Sequence, residues 1–175
     1  MRRTGEAVKR LVLCRHAKSS WKDPSLADLD RPLNRRGKRD APLMGERLAA
    51  RGIMPDAVVS SPARRARKTA RHLARKLHFP LADIRIIDRI YAASPGVLLD
   101  CIRRFDPAWE QVIMVGHNNE FTILANLLGG LAIGNVPTSG VVCLDFSVAS
   151  WQDVEEGGGN LVFFDYPKKL AIRQD

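Results

Sequence analysis

The residues able to do chemistry in this chain gather at three places, each directly after a short apolar run. Arg15 and His16 follow residues 11–14. Ser60, Ser61 and Pro62 follow residues 57–59 and lead into Arg64 and Arg65, and Gly116, His117, Asn118 and Asn119 follow residues 112–115. A neutral imidazole, with an ordinary pKa of about 6.5, keeps a free lone pair at neutral pH and can attack an electrophile without an activating base. Transfer of a phosphoryl group needs little beyond such a nucleophile and positive charge, because the migrating group spreads its negative charge over oxygens that fixed donors stabilise. Arg15 and Arg65 can offer forked donors, and His117 a further one if it is protonated. A metal site built from Cys14, His16 and His117 is a competing reading. It would set the cations of Arg15 and Arg65 against a bound metal ion, which is unfavourable, so neither metal nor cofactor is expected.

The choice between Arg64 and Arg65 rests on helix phase. Residues 63–77 place Ala66, Ala70, Leu73 and Leu77 along one stripe, the pattern of a helix packed on one side. Arg65 falls beside this stripe in the first turn, where free backbone amides also attract phosphate, whereas Arg64 groups with Lys68 and Arg71 on the outer face. Arg65 is therefore the expected pocket arginine. The other cations between Arg64 and Lys76 read as a solvated face, and His72 and His78 as surface groups. Asp88 and Glu120 are the candidate general acids, with no acid as a third possibility.

Short β-rich apolar runs occur at residues 11–14, 57–59, 84–87, 112–115, 141–146 and 161–164, and helical patterns at 37–51, 63–77, 95–105 and 121–128. Gly37 reads as a turn before the first of these helices. Strand and helix alternate, and several strands are apolar at successive positions, as strands buried on both faces must be. The expected fold is α/β: a mostly parallel sheet between two layers of helices, closed by a hairpin or antiparallel edge strand flanking the polar residues 150–160. One domain is expected over residues 1–175. In open sheets of this kind ligands bind beyond the carboxyl ends of the strands, so the three motifs should converge on one crevice.

A net charge of +9 draws anions of any sort, and by itself does not choose among nucleic acid, membrane surfaces and phosphorylated molecules. The basic segment between Arg64 and Lys76 could contact a nucleic-acid backbone, but no aromatic residue interleaves with its cations, and no nucleic-acid partner is expected. Cys14, Cys101 and Cys143 lie in apolar sequence without a paired spacing, which fits reduced, buried thiols in the cytoplasm. The apolar run nearest the N-terminus is too short for a signal-peptide core, no stretch is long enough for a membrane helix, and no membrane association is expected.

Four segments, RHAKSSW at 15–21, RPLNRRGKRD at 31–40, SSPARRARKT at 60–69 and GHN at 116–118, resemble the histidine phosphatase superfamily, and within it the SixA-type phosphohistidine phosphatases. The resemblance implies a phosphoglycerate mutase-like fold, a phosphohistidine intermediate on His16, a phosphate pocket of Arg15, Arg65 and His117, and no metal. The family's Ser-Pro-Xaa-Xaa-Arg-Ala spacing also selects Arg65. Ala17 stands where the broader superfamily usually carries glycine. Lys18, Ser19, Arg31 and Asn118 lie in the same segments and are candidates for substrate contact, while Trp21 could wall the pocket or simply pack. The implied partner is a phosphorylated protein or a small phosphorylated molecule, met by a monomer; a phosphomonoesterase, a phosphomutase and a non-catalytic binding module are the alternatives.

Overall fold

The computed structural model describes residues 5–169. Six strands, β1 (Lys9–Arg15), β2 (Ala57–Ser60), β3 (Arg85–Ile86), β4 (Gln111–Gly116), β5 (Val141–Phe146) and β6 (Gly159–Asp165), form one sheet in the order β3-β2-β4-β1-β5-β6. β1 to β4 run parallel; β5 is antiparallel to β1, and β6 to β5. The antiparallel pair foreseen at the C-terminal end is present, with β6 at the edge. Four helices cover the sheet: α1 (Arg35–Ala50), α2 (Arg64–Lys76), α3 (Pro95–Arg103) and α4 (Glu120–Gly129). Among the described residues no helix is long and apolar enough to cross a membrane.

The period of two along the strands explains the three layers. Leu11, Leu13, Val112, Met114 and Val142 join a core with Leu98, Ile102, Phe121 and Leu124 of α3 and α4. Their immediate neighbours Val12, Cys14, Ile113, Val115 and Cys143 join a second core with Met44, Leu48, Ala66, Ala70 and Leu73 of α1 and α2. Successive side chains point to opposite faces of the sheet, so strands that are apolar at every position require cover on both. The thiols of Cys14, Cys101 and Cys143 are free and buried within these layers.

Two local expectations are corrected, and one buried residue was unforeseen. α1 starts at Arg35, because the Asn34 side chain accepts a hydrogen bond from the Gly37 amide at 2.9 Å and caps the helix. Gly37 therefore lies inside α1, where its missing Cβ admits the Lys18 carbonyl. The strand expected over 84–87 keeps only the two ladder residues of β3, an edge position exposed to solvent. Trp151, in the polar connector between β5 and β6, is fully buried; its Nε1 donates to the Trp109 carbonyl at 2.7 Å and its ring meets Phe105 edge-on.

Close approaches leave no room for a side chain at Gly37, against backbone, or at Gly116, against an aromatic ring. A Cβ at Gly37 would run into the Lys18 carbonyl, and one at Gly116 into the Phe121 ring, whereas one at Gly134 would meet nothing. Gly37→Ala and Gly116→Ala should each lower unfolding stability by about 1–3 kcal/mol, with Gly134→Ala unchanged within error, as followed by thermal or denaturant unfolding. Equal stability of all three variants would contradict the packing described.

Candidate active site

The register of the central strands builds the site. β1 and β4 pair with Arg15 opposite Gly116, so the next residue of each strand, His16 and His117, emerges side by side; the His16 amide donates to the Gly116 carbonyl at 3.0 Å. The two rings stand 5.3 Å apart between centroids. β2 pairs with β4 with Ser60 opposite Val115, which delivers Ser61 to the His117 ring, Oγ to Nε2 at 2.7 Å. Ser61 Oγ also accepts from the Ala63 amide in the turn into α2.

His16 Nδ1 lies 2.7 Å from the Ala17 carbonyl. A carbonyl oxygen can only accept, so the Nδ1 proton is fixed and the lone pair sits on Nε2. Burial first, then the charges of His117, Arg65 and Arg15, overcome the raising effect of the Ala17 carbonyl and push the His16 pKa down to about 3. The same ordering, burial followed by Arg65, takes His117 down to about 4. Both rings are neutral at pH 7 in the ligand-free protein. His117 therefore does not meet the condition attached to it from sequence, that it be protonated. The residue after His16 is held as firmly: the Ala17 amide donates to Thr69 Oγ1 at 2.9 Å, and Thr69 donates to the Arg65 carbonyl at 2.8 Å, tying the end of β1 to the first turns of α2.

Arg65 is 5% exposed and lines the cavity, as its phase in α2 required, while Arg64 is exposed. Its partner, Asp28, was missed from sequence. Arg65 Nη1 donates to the Asp28 carbonyl at 2.6 Å and Nη2 to its carboxylate at 3.0 Å, and the same carboxylate accepts from Tyr91 Oη at 2.7 Å and Arg31 Nε at 3.2 Å. Burial alone would raise the Asp28 pKa, but the hydrogen bonds of Tyr91 and Arg65, the Arg65 charge and the Arg31 hydrogen bond outweigh it and hold the carboxyl at about 2. Asp28 opens a single 3-10 turn, Asp28–Asp30, and Tyr91 follows another, Asp88–Ile90, both too short for periodicity to mark them; the only signal was an acid three residues before Arg31.

These groups surround an open cavity of about 410 Å³, walled by His16, His117, Arg31, Arg65, Trp21 and Glu120 among others. Arg31 is nearly buried and stacks on Trp21, its guanidinium carbon 3.5 Å from the ring centroid, and Trp21 is 72% exposed at the rim. Trp21 is thus a wall of the cavity. Arg15 does not line it: its Nη1 donates to the Val136 carbonyl at 2.9 Å, and it acts on the two rings through its charge. Asn118 lines the cavity with its side chain engaged by Thr122 and Asn135. Lys18 and Ser19 are not cavity residues; Ser19 is buried in a bridge to Leu33. Of the candidate acids Glu120 lines the wall and Asp88 does not.

Arg15 Nε, Arg31 Nη1 and Arg65 Nε are buried without a hydrogen-bond partner among the described residues. An unmade bond from a buried cationic donor is costly, and for Arg31 and Arg65, which line the cavity, an entering anion is the partner that would relieve it. Inorganic phosphate, followed by its effect on the histidine ring resonances, should bind at least roughly tenfold more weakly to Arg65→Ala and within about twofold of the parent to Arg64→Ala, since only the first removes a buried charged donor. Equal losses would show that the phase of α2 does not decide the site. The depressed ring pKa values also set a pH response. The unfolded chain has histidines near their ordinary value of about 6.5 and takes up protons that folded His16 and His117 refuse, so stability is intact above that pH and declines as pH falls from about 6.5 towards 4. Ring resonances of both histidines should stay neutral from pH 8 to about 5; midpoints near 6.5 would refute the burial argument.

Residues 11–94 match the sequence model of the histidine phosphatase superfamily (branch 1). An uncharacterised protein of Mycobacterium tuberculosis is 36% identical over 164 residues, covering 88% of this chain and 99% of its own length. A 2,3-bisphosphoglycerate-dependent phosphoglycerate mutase of Staphylococcus saprophyticus is 35% identical over 105 residues, 55% of this chain and 45% of the mutase. The structure of SixA from Agrobacterium tumefaciens, provisionally assigned as a phosphohistidine phosphatase, superposes with a TM-score of 0.76 at 28% identity, over 91% of this chain and 98% of SixA. The paired strand ends, the buried arginines and these likenesses agree, and the chain belongs to the histidine phosphatase superfamily.

Proposed function

We propose that the chain is a phosphatase that takes the phosphoryl group of its substrate onto His16 Nε2 and passes it to water, with phosphohistidine in a protein as the substrate. The observation that carries this reading is the fixed tautomer of His16: the Ala17 carbonyl holds the Nδ1 proton, burial keeps the ring neutral, and the free lone pair faces a cavity lined with arginines. In the first step the Nε2 lone pair forms a bond to phosphorus as the bond to the leaving group breaks. In the second, water attacks phosphorus, inorganic phosphate leaves and Nε2 recovers its lone pair. Arg65 and Arg31 offer the charged donors for the equatorial oxygens, with Arg15 adding positive potential, and preorganised donors of this kind carry most of the stabilisation in phosphoryl transfer. An incoming phosphate would also raise the pKa of His117 by offsetting the arginine charges, turning that ring into a second donor. Among the described residues no group of three His, Cys, Asp or Glu side chains is placed to hold a metal ion, and the reaction proposed runs on side chains alone.

The leaving group selects the substrate class. Asp28 is an anion held by Arg65, Tyr91 and Arg31, and with a pKa of about 2 it has no proton to give at neutral pH. A phosphohistidine substrate needs none from a carboxyl group, because its own ring leaves once protonated. An alcohol phosphoester needs an acid, and Glu120 in the cavity wall is the one group that favours this second reading, which the mutase likeness shares.

Labelled phosphohistidine protein, quenched in alkali after brief incubation without added metal, should leave label on His16, since phosphoramidates survive base and are lost in acid. His16→Ala should abolish both label and turnover, and His117→Ala should retain label but form it about 10²- to 10³-fold more slowly, the usual loss for one transition-state donor. Label on His117 instead, or activity abolished by chelator and restored by zinc, would sink the mechanism. Alcohol phosphoesters turned over as fast, and slowed by Glu120→Gln, would move the substrate class to esters.

A further inference from the structure

We propose that a basic groove beside the candidate active site docks an acidic, extended segment of the phosphorylated protein. The proposal rests on the phosphatase reading and adds a recognition surface to it. One wall of the groove, a cavity of about 450 Å³, is the outer face of α2 with Arg64, Arg67, Lys68 and Arg71; the floor is Leu81, Ile84 and Ile86. Among the described residues the side-chain ion pairs of α2 are Arg65 with Asp28 and Lys76 with Glu46, so the four groove cations have no carboxylate partner. No acid among the described residues lines the groove. Four uncompensated charges over a concave surface make a field that favours an anionic partner.

The floor narrows the kind of anion. It is aliphatic, with Ile86 44% exposed, and offers no aromatic ring for a base to stack on, as a single-stranded nucleic acid would use. β3 is the edge of the sheet, paired with β2 on one side only, and an unpaired strand edge is a template for an extended peptide. Acidic side chains would meet α2 while an intervening aliphatic one fills the floor. Arg64 and Arg65 are successive residues, the first in the groove and the second in the histidine cavity, so a segment in the groove lies next to the chemistry.

The full chain titrated with a fluorescein-labelled peptide of alternating glutamate and leucine tests this, alongside a glutamine-for-glutamate version and a single-stranded oligonucleotide of equal charge. The glutamate peptide should bind roughly tenfold more tightly than the glutamine peptide, should weaken by a similar factor in Arg67→Glu/Lys68→Glu, and should lose affinity as salt rises. Both substituted residues are exposed and outside the histidine cavity, so hydrolysis of a small phosphorylated substrate should not change. Equal binding of the two peptides, or no effect of the double variant, would overturn the proposal. Tighter binding of the oligonucleotide, lost in the same variant, would overturn it in favour of nucleic acid. Peptide binding is read without turnover, so it stands or falls apart from the labelling of His16.

Discussion

Parallel pairing of β1 with β4, Arg15 opposite Gly116, settles where His16 and His117 must emerge, and the remainder of the site is arranged around that pair. Slippage by one residue would turn each strand's inward set over to the other face and separate the rings at once. The two cores that grip alternate residues of these strands are what prevent it. Gly116 contributes as an empty space: Phe121 of α4 closes over it, which fixes the start of α4 against the end of β4 and so fixes the loop holding His117.

The electrostatics follow from a conflict between burial and charge. Arginines gathered around two imidazoles would repel protons from them in any medium, and burial makes the charged imidazolium costlier still, so the rings are held neutral. The same concentration of cations would oppose folding if it had no counter-charge. Asp28 supplies one, reaching Arg65, Arg31 and Tyr91 from a single 3-10 turn, and the helix N-terminus beside it gives α2 no acidic residue of its own in the first turn. A single carboxylate thus allows Arg31 and Arg65 to share one cavity while one N–H group of each stays unpartnered among the described residues.

Much of this was legible in the chain because it depends on period and punctuation. Strands apolar at every position announced a covered parallel sheet, and the polar residues directly after them marked its functional edge. The phase of Ala66, Ala70 and Leu73 separated Arg65 from Arg64 for the same reason the structure does, namely that residues four apart share a helix face. Asp28 and Tyr91 were not legible, since they come from turns where neither spacing nor periodicity relates them to Arg65, which is 37 residues from one of them. Burial of Trp151 was not legible because eleven residues of mostly polar sequence, 150–160, hide one that crosses back to the core. Arg15 shows a further limit: adjacency to His16 says that its charge is near, but not that its terminal nitrogen is spent on Val136 instead of facing the cavity.

The contact between Arg65 and Asp28 has a kinetic meaning. Both terminal nitrogens of the guanidinium are occupied before any ligand arrives. An anion that takes these N–H groups must displace the Asp28 carboxylate from one and the Asp28 backbone carbonyl from the other, so entry there is an exchange of similar bonds, and only the unpartnered Nε is gained outright. A ground-state dianion profits little from such an exchange, whereas a transition state whose equatorial oxygens meet the donors in better geometry profits more. In the reaction proposed, the product would meet Asp28 as a competitor at its own binding group. Such a site would give up tight holding of free phosphate in exchange for easier clearance.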